Sequence, residues 1–185
     1  MTASATALGY RFDRHSARNE LQAATFRLRE KARVRLLLAQ SGAMAIEVAP
    51  IPAPFDRPLR VAVVPLPVDI RDYRLRHKTS DRGFYDAARI AAGTDEVVFV
   101  RPDGLLTEGS FTSLFVPRDD GKLLTPPVGV GLLPGVLRAQ LIDSTRAVES
   151  NLSADDLPPQ FFVGNALRGL MPAVVAVAKS GGLSL

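Results

Sequence analysis

Apolar residues in this chain come in strand-sized runs, and almost every run ends on Pro, Gly or an Asp-Gly pair. Residues 59–66 (LRVAVVPL), 96–101, 113–117 and 160–163 are such runs. The longest, 171–178 (MPAVVAVA), falls far short of the ~20 residues that span a bilayer. Stretches with helical spacing lie between them. Short strands alternating with helices bury their apolar faces as sheet against helix, so the expected class is α/β (α+β). At 185 residues the chain makes about one domain. The irregular segment 65–80 is the natural hinge, giving an expected small lobe over 1–70 and a C-terminal lobe over 71–185.

Residues 14–30 place Ala17, Leu21, Ala24 and Leu28 on one helical stripe, with Asp13 as N-cap. Residues 33–39 and 43–49 read as a hairpin around Ser41-Gly42. Residues 81–91 resume helical spacing. Residues 102–104 (PDG) and 119–121 (DDG) are turns, and 122–124 is a short strand. A helix is expected from Leu133-Pro-Gly135 to about Ser144, a helical turn at 153–157, and a closing strand over 173–178. Residues 1–8 (MTASATAL) read as the tail of a helix, so the chain is expected either to have lost an N-terminal portion or to begin later than related chains do.

Several chemistries drop out at once. There is no Cys, which removes disulfides, thiolate catalysis and Cys-based metal sites. His15 and His77 are the only histidines, too few for a histidine metal site or a Ser-His hydrolase, and no metal is expected. The first fifteen residues lack the pattern of a secretory signal, so a cytoplasmic location is expected. The net charge is +4, and the cations are nineteen Arg against four Lys. They are spread along the chain without a basic run or aromatic-rich strand, which argues against nucleic acid and suits small anionic ligands. No membrane partner is expected.

Four segments could carry chemistry. Lys78 sits in 76–82 (RHKTSDR); a lysine among cations loses its proton more readily and can act as an amine nucleophile, although taken alone it reads as a solvated surface side chain. Glu108 sits in 106–112 (LTEGSFT), where a carboxylate could hold a ring nitrogen protonated or simply cap a turn. Residues 132–138 (LLPGVLR) open a helix, whose free N–H groups bind phosphate. Residues 162–169 (FVGNALRG) offer the Asn165 amide and Arg168 to an anion.

In this order the four segments resemble the fold-type IV pyridoxal-phosphate enzymes, the class IV aminotransferase family. The matching stretches are HKTSDRGFYDAAR, DEVVFVRPDGLLTEGSFTSLFV, LLTPPVGVGLLPGVLR and FFVGNALRGLMPA, with weaker similarity back through ARVRLLL. The resemblance implies a two-lobed fold like that of D-amino-acid aminotransferase, with pyridoxal 5'-phosphate as cofactor and a homodimeric assembly. Lys78 falls on the family's cofactor-linking, proton-moving lysine. Glu108 falls on the acid paired with the pyridine nitrogen. Val136 and Leu137 fall where backbone N–H groups hold the phosphate, Asn165 on a further phosphate contact, and Ser110 on the pocket lining. Arg76, Arg82 and Arg168 are candidates for substrate carboxylates. The family's phosphate-clamping N-terminal Arg has no counterpart here, and neither Arg11 nor Arg14 replaces it, so the N-terminal lobe is expected to be shortened.

The HKT-x-x-R-x-x-Y-D and NALRG forms are most similar to the 4-amino-4-deoxychorismate lyase branch. That implies cleavage of 4-amino-4-deoxychorismate to p-aminobenzoate and pyruvate, in folate precursor synthesis. Transamination of a D- or branched-chain amino acid is the alternative within the family. A shortened relative that binds the cofactor weakly or not at all is the alternative outside catalysis.

Overall fold

The structure is a computed structural model, and it describes residues 1–176. It divides into two compact units, Met1–Pro54 and Phe55–Leu185. The boundary precedes the expected 70/71 because β3 (Leu59–Pro65) is hydrogen-bonded within the large sheet of the second unit.

The first unit contains α1 (Thr2–Leu8), α2 (Arg14–Thr25) and the antiparallel hairpin β1 (Ala32–Leu38) and β2 (Met44–Pro50). α1 ends on Gly9 at φ 70, whose N–H returns to Thr6 while Tyr10 returns to Ala5. Asp13 caps α2 as expected, accepting from the His15 N–H and the Ser16 hydroxyl, each at 2.8 Å. α2 stops at Thr25, short of the expected 30. The Thr25 hydroxyl bonds back to the Leu21 carbonyl, and Phe26 turns out to solvent at 83% exposure. Leu28 therefore leaves the stripe.

The second unit is built around a closed ring of six strands. These are β3, β4 (Glu96–Val100), β5 (Leu106–Gly109), β6 (Ser113–Pro117), β9 (Phe161–Asn165) and β10 (Gly169–Val175). β3 runs parallel to β4 and to β10, while β4–β5, β5–β6, β6–β9 and β9–β10 are antiparallel. β7 (Leu123–Thr125) extends the sheet from β6, and β8 (Ala147–Glu149) runs parallel beside it. β5 and β8 lie outside the expected strands, and β10 begins at Gly169 rather than 173. Residues 177 and 178 of the expected closing strand lie outside the described residues.

Side-chain alternation sorts the core. Leu59, Val61, Val98, Leu106, Leu114, Phe161, Val163, Met171 and Ala173 pack in one cluster. Val97 and Phe99 on the other face of β4 pack with Leu75 and Tyr85 beneath α3 (Gly83–Ala92). α3 is the crossover between parallel β3 and β4 and ends on Gly93 at φ 61. Phe115, Leu141 and Ala147 form a third cluster beneath α4 (Val136–Asp143). Two helices on the outside of a closed sheet thus place a loop before α3, the β5–β6 loop and the start of α4 around β5.

Candidate active site

Glu108 lies next to last on β5 and is only 4% exposed. Its Oε1 accepts from the Tyr85 hydroxyl at 2.6 Å, and its Oε2 from the Leu133 N–H at 3.2 Å. Burial pushes the carboxyl up to about 7. The Tyr85 hydrogen bond, the Arg82 charge, the Leu133 N–H and the Lys78 charge pull the other way, in decreasing order. Tyr85 projects from α3, fully buried, with Phe99 edge-on at 5.5 Å. Burial and the neighbouring Glu108 charge push its phenol upward, so it stays a donor.

Arg82 stands at the start of α3, its guanidinium 3.8 Å over the Tyr85 ring. Nη2 reaches the Ser110 carbonyl at 3.4 Å, and Nη1 is buried without a hydrogen-bond partner. A buried guanidinium nitrogen in that condition favours an anionic group beside it. Lys78 lies four residues earlier, solvent-exposed, with its charge felt by Glu108. Its loop is braced from both sides. Arg74 grips Asp72 before it at 2.7 Å and Asp81 after it at 2.9 Å, while lying 4.9 Å over the Phe84 ring.

The start of α4 forms the other wall. Its N-cap is Gly135, and no side chain caps the helix. The first-turn N–H groups, Val136 and Leu137 among them, have no intrahelical acceptor and concentrate partial positive charge. Arg138, 4% exposed, anchors this turn from behind, donating twice to the Pro126 carbonyl and once to Glu149. The approach to the surrounding strands is close. A methyl group on Gly135 would lie 2.9 Å from Ser113 Oγ; on Gly164 it would lie 2.8 Å from Leu137 Cδ2 and 2.7 Å from the Gly169 carbonyl. Glycine at both positions lets the helix start, β6 and the β9–β10 turn meet.

Asn165 ends β9. Its Oδ1 accepts from the Leu167 and Arg168 N–H groups, closing the turn, and its Nδ2 donates to the Phe111 carbonyl at 3.1 Å. One amide hydrogen of Asn165 is not used by these bonds. Arg168 stacks 5.0 Å over Phe55. Arg76 is exposed, two residues before Lys78. Ser110 lies in the β5–β6 loop with its carbonyl toward Arg82. Its hydroxyl donates to Glu96 at 2.5 Å, so its proton serves the loop interior and is not offered to a ligand.

The structure thus joins Glu108 to the approach to α4 through Leu133, and α4 to Asn165's strand through Gly164. It joins Arg82 to the loop after Glu108, with the Lys78 charge within reach of the acid. Sequence reasoning missed Tyr85, Glu96, Asp72, Arg74, Asp81 and Arg138. The Tyr85 signal was present: a Tyr on the apolar face of α3 was available to meet a buried acid. A buried carboxyl beside donors, an amine nearby, an unpartnered guanidinium nitrogen and an uncapped helix start suit a flat ligand bearing a ring nitrogen and an anionic tail. Among the described residues, no group of three or more His, Asp and Glu could hold a metal ion. Nor, among the described residues, is any helix long and apolar enough to cross a membrane.

The family model for amino-transferase class IV matches residues 1–175. No functionally curated protein matches the chain. Among solved structures, one from Mesorhizobium loti, provisionally described as an amino-acid aminotransferase, is 38% identical, with a TM-score of 0.86 over 95% of this chain and 87% of that one. A branched-chain aminotransferase from Thermoproteus uzoniensis, solved with norvaline, is 20% identical, TM-score 0.81, over 95% of this chain and 68% of that one. A protein from Legionella pneumophila, provisionally described as a 4-amino-4-deoxychorismate lyase, is 20% identical, TM-score 0.77, over 96% and 75%. At the latter two identities the likeness shows the fold alone.

Proposed function

The chain belongs to the class IV aminotransferases, the pyridoxal 5'-phosphate enzymes of fold type IV, and on that premise we propose that it is a lyase acting on 4-amino-4-deoxychorismate. The observation that carries the cofactor assignment is the buried Glu108 carboxyl, held by Tyr85 and Leu133 and biased by the charges of Arg82 and Lys78. When bound, the cofactor supplies an electron sink for the carbon that bears the substrate amine.

The chain's own residues supply the rest. The Lys78 amine would hold the cofactor and would take the proton from the substrate carbon that bears nitrogen. Glu108 keeps a proton at the ring nitrogen. The N–H groups of Val136 and Leu137, with the remaining Asn165 amide hydrogen, hold the phosphate at the helix start. Arg82, with its unpartnered nitrogen, is the best placed of the three candidate arginines for an anionic oxygen. Arg168 is turned to Phe55, and Arg76 lies at the exposed side. In the substrate, loss of that proton and cleavage of the enolpyruvyl C–O bond leave aromatic p-aminobenzoate. The three-carbon fragment takes up a proton and becomes pyruvate. Aromatisation drives the cleavage, so the protein mainly orients the ring.

The HKT-x-x-R-x-x-Y-D and NALRG forms support the lyase reading. The 38% identity to the Mesorhizobium loti protein favours the second reading, amino-group transfer from an amino acid to a 2-oxo acid. A homodimer in the cytoplasm, working in folate precursor synthesis, is the setting that accompanies the first reading. One assay separates the two. Cofactor-loaded protein given 4-amino-4-deoxychorismate, with no oxo acid present, should release p-aminobenzoate and pyruvate in equal amounts. Release of neither, with transfer from an amino acid to 2-oxoglutarate, establishes the second reading instead.

A further inference from the structure

Glu96 opens β4 and is fully buried, yet no step above uses it. Its carboxylate accepts five hydrogen bonds. Oε1 takes the Val97 N–H at 2.9 Å, the Ser110 N–H at 2.9 Å and the Ser110 hydroxyl at 2.5 Å. Oε2 takes the Phe111 N–H at 3.2 Å and the Thr112 hydroxyl at 2.8 Å. Four of the five donors belong to the three consecutive residues between β5 and β6. Gly109 closes the arrangement: a methyl group there would lie 2.3 Å from Thr112 Oγ1 and 2.9 Å from Glu96 Oε2.

This loop leads from Glu108 to Ser113 and touches each wall of the site. The Ser110 carbonyl faces Arg82, the Phe111 carbonyl receives Asn165, and Ser113 lies against Gly135. The Ser110 and Phe111 N–H groups and the Ser110 and Thr112 hydroxyls are drawn inward to one carboxylate, and the Ser110 and Phe111 carbonyls face Arg82 and Asn165. Glu96 thus braces the loop that carries both carbonyls, and the Phe111 carbonyl is one of three partners that hold the Asn165 amide, with the Leu167 and Arg168 N–H groups.

We infer that Glu96 is a positioning residue: it organises the 109–113 loop from within and so sets the phosphate-holding side of the site. The inference rests on the cofactor reading above. Lys78 lies on another loop, braced by Asp72, Arg74 and Asp81, and its reactivity does not depend on Glu96. Loss of the Glu96 carboxylate should therefore weaken recognition of the phosphate more than recognition of the ring.

The test compares dissociation constants for pyridoxal 5'-phosphate and for pyridoxal, which lacks the phosphate, in wild type, Glu96→Gln and Thr112→Val. Glutamine has one acceptor oxygen and sets two donors against the loop's donors. It should raise the constant for the phosphate form by about tenfold and leave that for pyridoxal within about twofold. Amide exchange at Ser110 and Phe111 should speed up in the same variant. Thr112→Val removes one donor at nearly constant shape and should shift the phosphate form alone, by a smaller factor. It decides the matter should Glu96→Gln not fold. Equal weakening of both ligands, or no change in either, would overturn the role of Glu96 while leaving the cofactor reading intact. Wild type that binds neither ligand would overturn the cofactor reading, and the inference with it.

Discussion

Replacing Glu108 by Gln should change how the cofactor-free protein depends on pH, in a direction opposite to that of most carboxylates. Burial raises the Glu108 carboxyl from its ordinary 4.5 to about 7. The folded chain therefore binds this proton more tightly than the unfolded chain does. The resulting stability is fully present below pH 4.5 and is lost as pH rises through 7. At about 1.4 kcal/mol per tenfold change in proton affinity, the loss amounts to about 3 kcal/mol. Glutamine does not ionise and shows no such loss. It does leave the Tyr85 hydroxyl and the Leu133 N–H with one acceptor oxygen between them, at a cost of about 1 kcal/mol at every pH. The variant should thus be close to wild type in stability at pH 5, where ionisation of the unfolded chain has already removed about 1 kcal/mol, and more stable by about 2 kcal/mol at pH 8.

The assay is urea unfolding of both proteins, stripped of cofactor, across pH 5–8. Asp72 and Asp95 do not intrude. Their hydrogen bonds with Arg74 and Arg57 hold them below the usual range, so their contribution is lost only at more acid pH. Other groups common to both proteins cancel in the difference. In thermal unfolding the same 3 kcal/mol would appear as a relative shift of roughly 6–12 °C. Parallel stability curves for the two proteins would refute the burial argument for Glu108, whatever the variant does to turnover.

Tyr85→Phe removes the hydrogen bond that pulls the Glu108 carboxyl down, so the pH at which wild type loses stability should move upward; an unmoved transition would show that the hydroxyl does not act on the acid. Asn165→Ala should raise the dissociation constant for pyridoxal 5'-phosphate by about tenfold while turnover at saturating cofactor stays close to wild type, because the side chain holds rather than reacts. Gly164→Ala would press a methyl group against Leu137 and the Gly169 carbonyl, and should cost about 1–3 kcal/mol in urea midpoint as well as cofactor retention. Arg138→Met leaves the Pro126 carbonyl without its donors and should destabilise the chain by about 2 kcal/mol, with the loss readable in the same titration.

The parts of the fold readable in advance were those with a local cause. Asp13 sits before a helical stripe and caps it; Gly42 and the Asp-Gly turns fall where the chain reverses. β3, β4 and β6 are apolar runs bounded by turn residues, and they form strands. β5 was harder, because its four residues (LTEG) include an acid and a glycine and show no alternation. It becomes a strand by closing the ring between β4 and β6, a nonlocal cause. The first compact unit ends at Pro54 for a similar reason: pairing of β3 with β4 and β10 places β3 in the second unit. Lys78, Glu108, the helix start at Gly135 and Asn165 were each ordinary in isolation and pointed to chemistry only in combination. Glu96 looked like a polar residue at a strand start. Its five hydrogen bonds come mostly from residues 14–16 positions later, which no local pattern records.

The most direct test of the site as a whole is chemical. Purified protein incubated with pyridoxal 5'-phosphate, reduced with borohydride and digested should carry one pyridoxyl group per chain, on the peptide containing Lys78. A Lys78→Ala variant should carry none. Label spread over Lys31, Lys122 and Lys179 in place of Lys78, or absent altogether, would contradict the assignment of Lys78 as the amine that works opposite Glu108.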